Sequence, residues 1–109
     1  MNVQIRAKDI TLTAGVREHI ESALEAFLKF GLELTSVNCN VKAIKNGVNV
    51  EFDIHIAHAQ PVVINQSDED LDAAIDLAID RASKALRRLH TKMTEHGHAS
   101  LKDLETLDA

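Results

Sequence analysis

Val3, Ile5 and Ala7 interleave with Gln4, Arg6 and Lys8 at the start of the chain. A period of two sends alternate side chains to opposite faces, so this segment predicts a strand with one buried face. Beyond Thr13 the period lengthens. Val16, Ile20, Leu24, Phe27 and Leu28 recur at helical spacing over 13–30. That predicts an amphipathic helix capped by Thr13 and closed by Gly31. The two-residue period then returns twice. Val37, Cys39, Val41 and Ala43 alternate with Asn38, Asn40 and Lys42, and after Asn46-Gly47 the run Val48, Val50, Phe52, Ile54 and Ile56 alternates with Asn49, Glu51, Asp53 and His55. Asn-Gly between two alternating runs predicts a hairpin. Gln60-Pro61 interrupts the pattern, and a short fourth strand is predicted over 62–65.

The last pattern is the longest. Ser67 precedes an acidic run with Asp70 three residues on, close to a capping box, and predicts a helix over 69–95. Its apolar stripe is Leu71, Ile75, Ala78, Ile79, Ala82, Leu86, Leu89 and Met93. The order is βαβββα. Antiparallel strands with one apolar face need a cover, and two amphipathic helices supply it. The predicted fold is therefore α+β and two-layered, a four-stranded sheet with both helices on one face. Residues 1–96 form the domain, and 97–109 are expected to be a mildly acidic, disordered tail.

Composition narrows the class. A chain of 109 residues is one domain, and 45% hydrophobic with 27% charged residues is globular composition. The single Cys39 excludes an internal disulfide and a multi-cysteine zinc site, which favours a reducing, cytoplasmic setting. No basic segment with an apolar run follows Met1, and no stretch reaches the length of a membrane span.

A net charge of −5 opposes a nucleic-acid partner as a total, but the charges are segregated. Six acids and no base lie in 68–80 (Asp68, Glu69, Asp70, Asp72, Asp76, Asp80). Five bases and no acid lie in 81–92 (Arg81, Lys84, Arg87, Arg88, Lys92). Screening over about 8–10 Å separates two such regions. On a helix, Arg81, Lys84, Arg88 and Lys92 share a sector about 80° wide, flanking the apolar stripe, and Arg87 projects from the other flank. A cation row about 16 Å long matches a phosphate backbone better than one small ligand. The plainer alternative is a solvated helix end answering its dipole. Arg6, Lys8, Lys42 and Lys45 are expected to extend the row.

The second sheet face carries Asn38, Asn40, Asn49 and His55, and the chain has no Trp or Tyr. Without aromatics for base stacking, this face excludes the RNA-recognition-motif mode; any RNA would be held by phosphate and shape. Candidate catalytic groups are few. Asp53-x-His55 shares one strand face with His58 nearby, but no Ser or Cys nucleophile is placed to join them. His96-Gly97-His98 lacks a third metal ligand, and Cys39 alternates with buried residues. The glycines form no phosphate loop. No enzyme, cofactor or metal is predicted.

Three stretches resemble the ribosome hibernation-promoting factor and ribosome-associated inhibitor family over about residues 1–95. They are Ile10-Thr11-Leu12-Thr13 with Val16-Arg17-Glu18-His19-Ile20, the polar strand pair around Asn46-Gly47, and Glu69-Asp70-Leu71-Asp72-Ala73-Ala74-Ile75-Asp76 leading into Ile79-Asp80-Arg81. The resemblance implies a fold like double-stranded-RNA-binding domains. It implies binding of the small ribosomal subunit and its ribosomal RNA at the decoding channel. Messenger and transfer RNA would be blocked and translation silenced in stationary phase or stress. By position, the family's basic helix end falls on Arg81, Lys84, Arg87, Arg88 and Lys92, and its basic strand positions on Arg6, Lys8, Lys42 and Lys45. Asp72 stands where relatives usually have Tyr, and the first helix carries Glu21, Glu25 and one Lys29 where they often have several lysines. Short family members either promote ribosome dimers with a ribosome modulation factor or hold single ribosomes inactive. The tail, with Asp103, Glu105 and Asp108, is intermediate, leaning to the dimer-promoting kind. The competing expectation is a protein-interaction module that uses the exposed sheet face without RNA. Neither expectation involves a membrane or a small-molecule substrate.

Overall fold

The chain forms β1 (Asn2–Lys8), α1 (Ala14–Phe27) with a 3-10 turn (Leu28–Phe30), β2 (Leu34–Ile44), β3 (Gly47–Ile56), β4 (Val62–Asp68) and α2 (Leu71–Ala99). The computed structural model describes residues 1–99, with side chains to Thr94. Sheet order is β1-β2-β3-β4. β1 runs parallel to β2, and the other pairs are antiparallel. This is the α+β, βαβββα architecture that the hydrophobic periodicity predicts.

The core lies between the sheet and the helices. Val37, Cys39, Val41, Val50, Phe52 and Ile54 from β2 and β3 meet Ile20, Leu24 and Phe27 from α1 and Ile75, Ala78, Ala82 and Leu86 from α2. The Phe27 and Phe52 rings pack edge to face at 5.8 Å and 81°, the arrangement their quadrupoles favour. Burial pushes the Cys39 thiol up from 9.0 to about 12, so it stays neutral and behaves as a small hydrophobe.

Local chemistry sets the element ends. Thr13 accepts a hydrogen bond from the Val16 amide at 3.2 Å and caps α1. Gly31, at φ 79°, takes the left-handed conformation that closes the 3-10 turn. Asp70, rather than Ser67, caps α2: its carboxylate accepts from the Ala73 amide at 2.9 Å. The helix accordingly starts at Leu71, two residues later than its acidic run suggests. Ser67 remains in β4, where its hydroxyl accepts from Asn49 at 3.0 Å. β4 is longer than predicted because Gln66, Ser67 and Asp68 continue the ladder opposite Val50, Asn49 and Val48. Backbone pairing needs no apolar side chain. The hairpin turns on Lys45 and Asn46, with Asn46 at φ 67°, and Gly47 already pairs with Ile44.

Two expectations shift further. β1 is mostly exposed, with Val3 at 39% and only Ile5 partly buried. It is an edge strand, so its inner face meets just the margin of the helix layer. α2 continues to Ala99, past the predicted end at 95 and into the predicted tail. The rest of that tail, 100–109, and the side chains of His96 and His98 lie outside the described residues.

Candidate nucleic-acid interface

α2 packs its apolar stripe over β3 and β4, and this fixes where its cations go. Arg81 faces the sheet edge: its guanidinium donates to the Asn65 carbonyl at 2.5 Å and to Gln66 Oε1 at 3.1 Å. Arg87 leaves the opposite flank and sits 5.6 Å from the centre of the Phe30 ring, a cation–π contact with the end of the first helix. Lys84 pairs with Asp80 at 3.1 Å, but both side chains are about 60% exposed and such a pair is worth only a few tenths of a kcal/mol. Arg88 and Lys92 make no hydrogen bond or ion pair with the described side chains. Both are exposed.

The five bases thus differ in their freedom. Lys84, Arg87, Arg88, Thr91 and Lys92 border one shallow concavity on the helix surface. Arg81 is not among them. Arg88 and Lys92 are one turn apart, a rise of about 6 Å, and present two like charges to one partner. Asp80, the last acid of that run, lies roughly 12 Å along the axis from Arg88 and roughly 18 Å from Lys92 and is already paired with Lys84, so its field is partly screened at the first and largely screened at the second.

The strand cations lie elsewhere. Register pairs Arg6 with Asn40 and Lys8 with Lys42, and those four residues alternate with the core-facing set. They occupy the open face of the sheet, opposite the helices, with Lys45 in the adjoining turn. Arg6, Lys8, Lys42 and Lys45 therefore do not extend the helix row; the sheet separates the two groups. The same face carries Glu51 and Asp53 on β3. Its polar groups bond one another: Asn65 to Glu51 at 3.5 Å, Asn49 to Ser67 at 3.0 Å, and His55 to Asp53 at 3.3 Å.

Ser36 stands in register with His55, so the structure does place a hydroxyl beside the Asp53–His55 pair, contrary to the sequence reading. The two make no hydrogen bond; Thr35 instead donates to the His55 carbonyl at 3.2 Å. His58 lies beyond the strand, exposed and at φ 64°. Among the described residues no three His, Cys, Asp or Glu side chains are grouped to hold a metal.

Three contacts lie outside the predicted site. His19 on α1 meets Asp76 on α2 at 2.7 Å. His90 packs against Gly31. His58, Ala59, Gln60, Pro61 and Val62 form a groove with Ala85, Arg88, Leu89, Lys92 and Met93. Only the groove had a signal in the sequence, since the apolar stripe runs on to Met93 at a point where the strands have ended.

A family model described as Sigma 54 modulation protein / S30EA ribosomal protein matches residues 3–94. The chain is 28% identical over 95 residues to a ribosome hibernation promoting factor of Azotobacter vinelandii, covering 87% of this chain and 88% of that one. Among solved structures, it is similar to the N-terminal domain of Protein Y from Thermus thermophilus, with a TM-score of 0.72, 23% identity and coverage of 82% and 99% of the two chains. It is also similar to a ribosomal subunit interface protein from Coxiella burnetii, with a TM-score of 0.72, 14% identity and coverage of 84% and 99%. At these identities the two structures establish a shared fold.

Proposed function

Because the chain belongs to the Sigma 54 modulation protein / S30EA ribosomal protein family, we propose that it is a ribosome hibernation factor that holds the small ribosomal subunit through its ribosomal RNA. The protein sits at the decoding channel, excludes messenger and transfer RNA by occupying their space, and so silences translation in stationary phase or stress. No bond is made or broken. It works by filling the site and acts in the cytoplasm, where ribosomes are.

The observation that carries this reading is the pair Arg88 and Lys92, exposed and without a partner among the described side chains, with Lys84 and Arg87 beside them. Cations left unpaired by the fold neutralise phosphates and release condensed counterions, which drives association with folded RNA. Lys84 and Arg87 can swing from weak internal contacts to join them. The relative from Azotobacter vinelandii, a ribosome hibernation promoting factor by name, points to the same partner.

Sedimentation of the purified chain with small subunits over a salt series tests the proposal. Binding is expected to weaken by roughly 0.7–0.9 log units per phosphate contact for each log unit of salt. The double variant Arg88→Glu/Lys92→Glu is expected to remain folded by circular dichroism and to stay in the supernatant. Normal sedimentation of that variant would rule this surface out.

A further inference from the structure

The groove between α2 and the loop joining β3 to β4 is not explained by phosphate binding alone. Its three sides differ in chemistry. Ala85, Leu89 and Met93 make an apolar floor, Arg88 and Lys92 stand along one rim, and His58, Gln60 and Pro61 form the wall of the loop. Met93 is 38% exposed although it continues the stripe that buries Ala82 and Leu86 completely. Beyond Leu86 the helix outruns the sheet, so among the described residues apolar surface remains uncovered beside Arg88 and Lys92, which have no partner there.

We propose that this groove takes a single unpaired nucleotide of the bound RNA, an inference that rests on the RNA-binding reading above. A nucleotide presents three features together: an anionic phosphate, a flat apolar face and a polar edge. The groove offers a complement to each. Arg88 and Lys92 meet the phosphates on either side of the nucleotide, about one helical turn apart. The base lies on Ala85, Leu89 and Met93 and against the Pro61 ring, with the Arg88 guanidinium plane available for stacking. The Gln60 amide and the His58 ring face the base edge, where either can donate or accept.

A base within a duplex could not enter, because both its faces are stacked and its edge is paired. The groove therefore selects RNA with a bulged or looped-out residue over a continuous duplex. An acidic amphipathic peptide would satisfy the rim and the floor but would leave the flat Pro61 face and the polar wall without a specific use.

The test compares two RNA hairpins of equal length, one fully paired and one with a single bulged 2-aminopurine, binding to the full chain at low salt. The bulged hairpin is expected to bind about fivefold more tightly, and its fluorescence to change as the base leaves water. Ala85→Leu fills the floor without altering charge and with little change in helix propensity. It is expected to remove that preference while leaving affinity for the paired hairpin unchanged. Equal binding of both hairpins by the wild type would overturn the inference, as would a preference that survives Ala85→Leu. So would tighter binding of an acidic, leucine-rich peptide that displaces the bulged hairpin. Sedimentation of the wild type with small subunits separates the two levels: sedimentation without hairpin preference defeats the groove alone, and loss of both defeats the RNA reading beneath it.

Discussion

The open face of the sheet and the far end of α2 are both polar, and they could not be more differently prepared for a partner. On the sheet, Arg6, Lys8 and Lys42 share a surface with Glu51 and Asp53, and neighbouring amides, hydroxyls and carboxylates bond one another across the strands. On α2, Arg88 and Lys92 meet no described side chain of opposite charge, and Lys84 has only a weak pair with Asp80. Lys8 and Lys42 are as free of ion pairs among the described residues as Arg88 and Lys92, but they share their face with the carboxylates of Glu51 and Asp53, whose charges offset theirs. Unpaired cations hold only counterions, and releasing those is favourable. Counting basic residues does not identify an RNA-binding surface. A cation that is both idle and clear of neighbouring acids is the better candidate.

The strongest way to break this comparison is charge reversal on each surface in turn. Losing one phosphate contact at about 0.1 M salt lowers affinity by roughly 0.7–0.9 log units, and reversing the charge about doubles that. Arg88→Glu/Lys92→Glu should therefore weaken binding to small subunits about a thousandfold, measured by sedimentation or by filter binding. Lys8→Glu/Lys42→Glu should weaken it less than about tenfold, through long-range field alone. Equal losses would show that the sheet face also grips RNA. A loss confined to the sheet variant, insensitive to salt, would favour a protein partner on that face instead.

Much of this was legible in the sequence, and what was not has a physical reason. The period of two in β2 and β3 and the helical spacing of Ile20, Leu24 and Phe27 located the core, because burial on one face is the only way such patterns stabilise a chain. The segregation of charge along α2 was equally plain. What the sequence concealed was partnership. Arg81, Lys84, Arg88 and Lys92 occupy one sector of a helical projection and look equivalent there. Only the docking of α2 on β4 divides them, because it brings the Asn65 carbonyl to Arg81 and leaves Arg88 beyond the strand. The strand cations are divided from the helix row for the same reason, since alternation gives two faces but does not say which one neighbours the helix flank.

A second test asks whether the sheet face depends on its register. In β3, Gly47 packs so closely on the end of β4 that a Cβ would collide with the Asp68 carbonyl oxygen, a backbone atom that cannot swing aside. Gly47→Ala should cost about 2 kcal/mol, seen as a lower midpoint in urea unfolding. Because Asp68 leads directly into the Asp70 cap of α2, the shift should also disturb the start of that helix. Lys92, more than 20 residues further on, should keep its affinity for small subunits. An RNA defect as large as the stability defect would mean that the two regions are mechanically coupled.

The core between the two regions supplies a smaller, pH-dependent effect. Cys39 titrates near 9.0 when exposed and near 12 when folded, so the native chain holds its proton where the unfolded chain has lost it. The stability this gives is complete below pH 9 and falls as pH rises towards 12, by about 1.4 kcal/mol per pH unit. At pH 10 the chain should be about 1.4 kcal/mol less stable than at pH 8, and Cys39→Ala should remove that part of the slope. An unchanged slope in Cys39→Ala would assign the alkaline loss to other groups.

Arg81 belongs to the α2 row by sequence and to the sheet by its contacts, and it gives the finest test. Two of its five donors are engaged by Asn65 and Gln66, holding the helix to the edge strand at the point where β4 would otherwise show a bare carbonyl. Arg81→Met keeps the aliphatic stem and removes those bonds, so it should lower stability by about 1 kcal/mol. If the fold has committed this guanidinium, affinity for small subunits should fall by less than about threefold, and the salt slope should stay within about 0.3 of the wild type. Arg88→Met should do the reverse, leaving stability within about 0.5 kcal/mol and lowering the slope by 0.7–0.9. The pair of variants has the same charge change on the same helix, seven residues apart. If both change the slope alike, the internal contacts of Arg81 yield to RNA, and the division between idle and occupied cations gives way to a single continuous row.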